Sequence, residues 1–155
     1  MKSTNTYLIF DGECRKAMEF YKTALGGQLR MFTFGEMPPS PGCEVPAGAQ
    51  DRIMHAMLES GPLVLMASDN MPGQPFTKGN NFQINLNCEN EAEVDKLFKA
   101  LSEGGHAIMP PGETFWAKRF GMASDKFGVI WMFNLEKPMD QHQGSHGKKP
   151  ETVNA

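Results

Sequence analysis

Hydrophobic and polar positions in this chain change period several times, and each change marks an element. In "YLIFDGECRKAMEFYKTAL", residues 7–25, a short alternating run gives way to Cys14, Ala17, Met18, Tyr21 and Leu25. That i, i+3, i+4, i+7, i+11 series places one apolar stripe on a helix. "QINLNCENEAEVDKLFKAL", residues 83–101, repeats the plan, with Val94, Leu97, Phe98 and Leu101 on the stripe. Asn90 followed by Glu93 resembles a capping box, and Glu91 and Glu93 suit the positive end of the helix dipole. Gly26-Gly27 and Gly104-Gly105 are placed to stop the two helices.

The two segments superpose without gaps, Tyr7 on Gln83, an offset of 76 residues. After each helix the period shortens to that of strands. "GQLRMFTF" (27–34), "RIMHAMLE" (52–59) and "LVLMAS" (63–68) follow the first, the last two joined by a hairpin signal at Ser60-Gly61. "GHAIM" (105–109), "FWAKRFGMAS" (115–124) and "VIWMFNL" (129–135) follow the second, the last two joined across "DKFG". Both halves read as β-α-β-β-β. The prediction is an α+β chain in which two βαβββ modules pair into one curved, barrel-like mixed sheet, because such a unit cannot bury its sheet alone. Residues 1–136 form one domain in this reading, with repeats at 3–68 and 80–136 and a Pro/Gly-rich linker at 69–79. A proline-crowded loop spans 35–50, and the polar segment 137–155 lacks periodicity and reads as a flexible tail.

Composition narrows the function classes. A net charge of −3 and no basic stripe leave no footprint for nucleic acid. The longest apolar runs are of strand length, far short of a membrane span. Asp11 and Glu13 interrupt the opening "MKSTNTYLIFDGE", so the expectation is a cytoplasmic protein without a signal peptide. Cys14, Cys43 and Cys88 are odd in number and widely spaced, which reads as reduced thiols. The 12 methionines read mainly as adaptable core filler.

"YLIFDGECRKAMEFY", "TFGEMP", "ETFWAKRFG" and "DKFGVIWMFN" together resemble the vicinal oxygen chelate superfamily, the glyoxalase and bleomycin-resistance fold, and within it the PhnB-like branch. The resemblance covers about residues 3–136. It implies the glyoxalase fold and a homodimer. It also implies, for metal-using members, four His, Gln or Glu ligands from the first and last strand of each half. Here the corresponding positions hold Tyr7 (or Asn5), Met66 (Leu65 if the register slips), Gln83 and Met132. Thioethers bind hard and borderline cations weakly, and Gln83 offers one neutral oxygen. The expectation is therefore no metal and no cofactor, and a cavity floored by methionine and carboxamide.

Strand parity assigns Phe82, Ile84 and Leu86 to the helix side, and Gln83, Asn85 and Asn87 to the cavity. His55, in mid-strand, is the candidate general base, since imidazole changes charge near neutral pH; a hydrogen-bonded structural histidine is the competing reading. Glu113 and Trp116 are candidates for a pocket wall, with Phe115 and Phe120 beside them reading as core. Trp116 is equally suited to a dimer contact. Lys118-Arg119 could steer an anion, or could be solvated charges on an edge strand. Asp125 reads as a turn residue bonding backbone amides. Cys43 sits in the 35–50 loop with no activating neighbour in sequence, and His142 and His146 belong to the tail.

The functional expectation is a protein binding an unknown small organic molecule in a metal-free cavity, with or without acid/base catalysis. Two alternatives stay open: a metal-dependent lyase, isomerase or dioxygenase, and a drug-sequestering resistance protein. The branch also carries a demethylubiquinone methyltransferase label. Against it, no strand followed by a Gly-rich loop and helix is present to hold a nucleotide-like cofactor.

Overall fold

The computed structural model describes residues 1, 3–38, 42 and 44–138. Cys43 and the tail histidines, His142 and His146, lie outside the described residues, as do most of the tail and part of the 35–50 loop.

Two compact units divide the chain between Phe82 and Gln83. The first runs β1 (Thr6–Phe10), α1 (Cys14–Leu25), β2 (Gln28–Thr33), β3 (Ile53–Ser60) and β4 (Leu63–Asp69). The second runs β5 (Ile84–Asn87), α2 (Glu91–Ser102), β6 (His106–Gly112), β7 (Ala117–Ser124) and β8 (Ile130–Glu136). Both are the expected βαβββ module. The strands form two four-stranded sheets, ordered β1-β4-β3-β2 and β5-β8-β7-β6. In each, the first strand lies parallel to the last and the other pairs are antiparallel. This corrects the single, barrel-like sheet expected from sequence. Each module forms its own open ladder, its first strand paired with its own last strand.

Burial follows the alternation. Leu8, Phe10, Ala56, Leu58, Leu65 and Ala67 are buried on the first sheet, matched by Cys14, Ala17, Met18 and Tyr21 of α1. In the second unit Trp131 and Phe133 of β8 and Val94 and Leu101 of α2 are buried, and the Phe98 ring meets Phe133 edge-on at 5.6 Å. Full burial of such side chains contributes about 1.5–3 kcal/mol each. Leaving them on one face frees the opposite face for other chemistry.

The helix ends use different devices. Asn90 caps α2 by accepting from Glu93 N–H at 2.9 Å, while the Glu93 carboxylate reaches back to Glu89 N–H. The box is thus shifted by one residue from its usual return bond. Helix α1 has no local side-chain cap; its first amide, on Cys14, donates to Asp69 at the end of β4. A glycine beyond each helix end has a steric reason. A Cβ at Gly27 would strike the carbonyl oxygen of Glu59, and one at Gly105 that of Ser124.

Several boundaries differ from expectation. Strand β6 continues through Pro110-Pro111 to Gly112, which an edge strand tolerates because its outward amides need no partner. Strand β7 lies between β8 and β6, but its pairing with β6 ends at Gly112–Phe120, so Lys118-Arg119 lie beyond β6. Arg119 instead pairs with Asp95 at 2.7 Å and Glu91 at 3.9 Å of α2. Among the described residues, no helix is long and apolar enough to cross a membrane.

Candidate functional site

Each sheet has a face turned away from its helix, and the ladder register fixes what each face presents. On the first sheet Tyr7 lies opposite Met66, Met66 opposite Met57, and Met57 opposite Arg30. Met66 is therefore the face residue, and Leu65 is buried toward α1. His55 lies two residues from Met57 on β3 and shares its face. Its Nδ1 lies 3.3 Å from the Tyr7 hydroxyl, with the rings 5.9 Å apart. Residues separated by 48 positions thus form a phenol–imidazole pair above a thioether row. Tyr7 is 44% exposed, so the pair is open to solvent.

On the second sheet, the first row runs Asn85, Met132, Met122 and Met109 across four strands. The next row runs Asn87, Asn134 and Phe120. The carboxamides are linked: Asn85 Nδ2 and Asn134 Nδ2 both donate to Asn87 Oδ1, at 2.9 and 3.1 Å. Asn134 is only 8% exposed, and its own Oδ1 is buried without a hydrogen-bond partner. A buried acceptor left unpaired costs about 1–3 kcal/mol. Trp116, half-buried, packs edge-on against Phe120 at 5.4 Å and against Phe115 at 4.7 Å.

The sequence-derived residues separate on this geometry. Tyr7, His55 and Met66 share the first face, and Asn85 and Met132 sit side by side on the second. Gln83 precedes β5, is exposed, and has no ladder partner, so Asn85 occupies the place beside Met132. Phe82 also precedes the strand and is exposed rather than packed. Glu113 is exposed and bound to Lys137 at 2.6 Å; that bond and charge hold its carboxyl below the usual glutamate range. Phe115, read as core, is 81% exposed. Phe120 is buried as expected. Asp125 bonds the turn amides of Phe127 and Val129, and also Trp131 Nε1.

Asn134 was not singled out in the sequence. It lies two residues beyond Met132 on the same strand, and that alternation was the available signal. The Tyr7–His55 pairing had no local signal. Cys14 and Cys88 are free and buried. Burial, then the charge of Asp69, pushes the Cys14 thiol up to about 12. Burial, then the charge of Glu93, pushes the Cys88 thiol up to about 11. Neither can serve as a nucleophile near neutral pH. Among the described residues there is no group of three or more His, Cys, Asp or Glu side chains that could hold a metal ion.

Comparison with known proteins agrees with the topology. The chain is 37% identical over 139 residues to Protein YjdN of Escherichia coli, covering 84% of this chain and 93% of that protein. It is 46% identical to protein PA1353 of Pseudomonas aeruginosa, whose crystal structure matches with a TM-score of 0.79 over 89% of this chain and 100% of that one. A PhnB protein of Bacillus cereus is 27% identical, with a TM-score of 0.67 over 86% and 99% of the two chains. The sequence profile of the Glyoxalase/Bleomycin resistance protein/Dioxygenase superfamily matches residues 3–133. With that match across both βαβββ modules, the chain belongs to this superfamily, in its PhnB/YjdN-like branch.

Proposed function

We propose that this chain binds a small organic molecule without a metal ion, and that His55, oriented by Tyr7, is its proton-accepting group. The observation that carries the reading is the 3.3 Å contact between the Tyr7 hydroxyl and His55 Nδ1 on the face away from α1. In the tautomer that donates from Nδ1 to the phenol oxygen, Nε2 keeps its lone pair for a substrate proton. Tyr7 then fixes the ring, as the orienting member of a base–orienter pair does. Met57 and Met66 supply an adaptable apolar floor beside it.

The metal implied by the superfamily does not fit these donors. The positions hold a phenol, two thioethers and carboxamides, and the phenol is already engaged with His55. A divalent cation needs imidazole, carboxylate or thiolate in number. A homodimer is part of the proposal too. Ile108 and Met109, 45% and 42% exposed on edge strand β6, are surface that a second copy would cover. Light scattering of the purified chain reads the oligomeric state.

The test is a thermal-shift screen of phosphonates, aromatics and antibiotics, followed by His55→Ala and Tyr7→Phe. A ligand at a hundred times its Kd stabilises the fold by about 2.7 kcal/mol. The expected hit loses most of this shift in His55→Ala and part of it in Tyr7→Phe. A hit indifferent to both variants removes His55 from the site. One metal per chain, with affinity lost in Gln83→Ala, overturns the metal-free reading.

A further inference from the structure

We infer that the second sheet carries its own recognition row, Asn134 with Asn87, Phe120 and Trp116, and that it takes a neutral aromatic or heteroaromatic ligand bearing an N–H or O–H donor. This rests on the small-molecule reading above but concerns a different sheet and different residues.

Three observations carry it. The first is the unpartnered oxygen. Asn134 Oδ1 is buried without a hydrogen bond, while its Nδ2 is spent on Asn87. What it lacks is a donor. The second is the wall. Phe120 lies opposite Asn134 on the ladder and is 7% exposed, with Trp116 packed edge-on against it. Phe115 continues the aromatic series outward into solvent. A planar ring inserted there meets π faces and edges, and its donor meets the carboxamide.

The third is charge. Nothing in the rows Asn85–Met132–Met122 and Asn87–Asn134–Phe120 is ionisable. Of the nearby cations, Arg119 is engaged with Asp95 and Glu91 of α2 and Lys137 with Glu113, while Lys118 is exposed on β7 outside these rows. A phosphonate or carboxylate would find no free counter-charge in these rows, and a carbonyl oxygen would repel it. Asn85 and Asn87 are solvent-facing side chains, and such side chains change rotamer in picoseconds to nanoseconds. Swinging Asn87 aside also releases Asn134 Nδ2, which gives the ligand an adjacent donor beside the acceptor.

The experiment uses the full chain, indole as the probe, and N-methylindole, benzoate and methylphosphonate as comparators. The side-chain amide signals of Asn134 and the indole N–H of Trp116 are followed by NMR during titration. Indole is expected to shift both, with N-methylindole binding about tenfold more weakly, the ratio one hydrogen bond to an otherwise unpaired acceptor supplies. The two anions should leave both signals in place. In Asn134→Leu, which replaces the unpaired group by an apolar one of similar size, indole and N-methylindole should bind alike. Trp116→Ala should weaken both equally. Equal affinity for indole and N-methylindole in the parent chain overturns the proposal, as does a shift confined to benzoate or methylphosphonate. So does the absence of any shift up to the solubility of indole, which would leave an ordered water as the partner of Asn134. His55 signals are read in the same spectra, so failure here is distinguishable from failure of the Tyr7–His55 site.

Discussion

Asp125 is 3% exposed and offers the sharpest test of how the second module holds its register. One carboxylate oxygen accepts from Phe127 N–H at 2.8 Å and Val129 N–H at 3.0 Å, and the other from Trp131 Nε1 at 2.9 Å. The β7–β8 turn and the largest buried side chain of the unit are thus tied to one group. Asp125→Asn preserves shape but turns one oxygen into an NH2. Whichever way the amide is placed, at least one N–H faces another N–H. A hydrogen bond to a charged acceptor contributes about 1.5–3 kcal/mol, so Asn should cost about 2–3 kcal/mol. Asp125→Ala, which strands all three donors, should cost about 4 kcal/mol or more. For a chain of this length each kcal/mol lowers Tm by about 2–4 °C.

The assay is urea unfolding followed by circular dichroism, with Trp131→Phe as the second arm of a double-mutant cycle. If the Trp131 bond is what Asn loses, Asp125→Asn should cost at least about 1 kcal/mol less in the Trp131→Phe background. A midpoint for Asp125→Asn within error of the parent, at unchanged slope, would refute the reasoning. A cycle with no coupling would refute the assignment to Trp131.

Three further outcomes follow from the same geometry. Gly27→Ala and Gly105→Ala should each cost at least about 2 kcal/mol in urea unfolding, since the new Cβ meets backbone oxygen in both; a neutral Gly27→Ala would show that the β2–β3 edge yields freely. Because the thiols of Cys14 and Cys88 are raised to about 12 and about 11, the folded state holds their protons more tightly than the unfolded state. Stability should fall as pH climbs through the ordinary thiol range toward those values, and iodoacetamide at pH 8 should label both sites only after denaturation, as read by peptide mass spectrometry. The Glu113 carboxyl is depressed by its bond to Lys137 and then by that residue's charge, so this contribution is present above the ordinary glutamate range and lost as pH falls through the depressed value. Lys137→Met should return the Glu113 carboxyl NMR titration toward that ordinary range; an unchanged titration would dismiss the pair.

The modules were legible because their signals are local. The apolar stripe of α1, the Asn90 cap of α2 and the glycines after each helix act within a few residues of where they are read. What failed needed a partner strand. Superposing Tyr7 on Gln83 matched the sequences but could not reveal that β8 captures β5 only from Ile84 onward. The same limit hid the separation into two ladders. Parity did place Asn85 on the face opposite the helix, because alternation survives a small error in strand length, whereas Met66 and Met132 were reached through the superfamily's ligand positions. Phe115 was misread because aromatic content alone does not separate a core residue from a solvent-facing one. His55 and Tyr7 were each singled out for a separate reason, and only the fold shows that they are one unit.

Setting the modules beside each other shows where resemblance between the halves stops. Both keep a parallel first-to-last strand pair, an apolar helix stripe and a glycine forced by a backbone oxygen. These are the positions where burial and sterics leave little choice. On the opposite faces both halves present methionine, but their polar groups differ. One presents phenol, imidazole and an arginine salt-bridged to Glu59; the other presents carboxamides against an aromatic series. If both faces were inert sheet surface, no physical requirement would bury an unpaired carboxamide oxygen on one and pair a histidine with a tyrosine on the other. A polar group kept at a cost to stability, on the face the core does not need, points to recognition, and the difference between the faces points to two separate parts of it. Variants on one face should therefore leave ligand responses on the other unchanged: Tyr7→Phe should preserve the indole-induced shifts at Asn134, and Asn134→Leu should preserve the behaviour of His55. Loss of both responses from either single change would mean one recognition unit, and the division of labour argued from these side chains would fall.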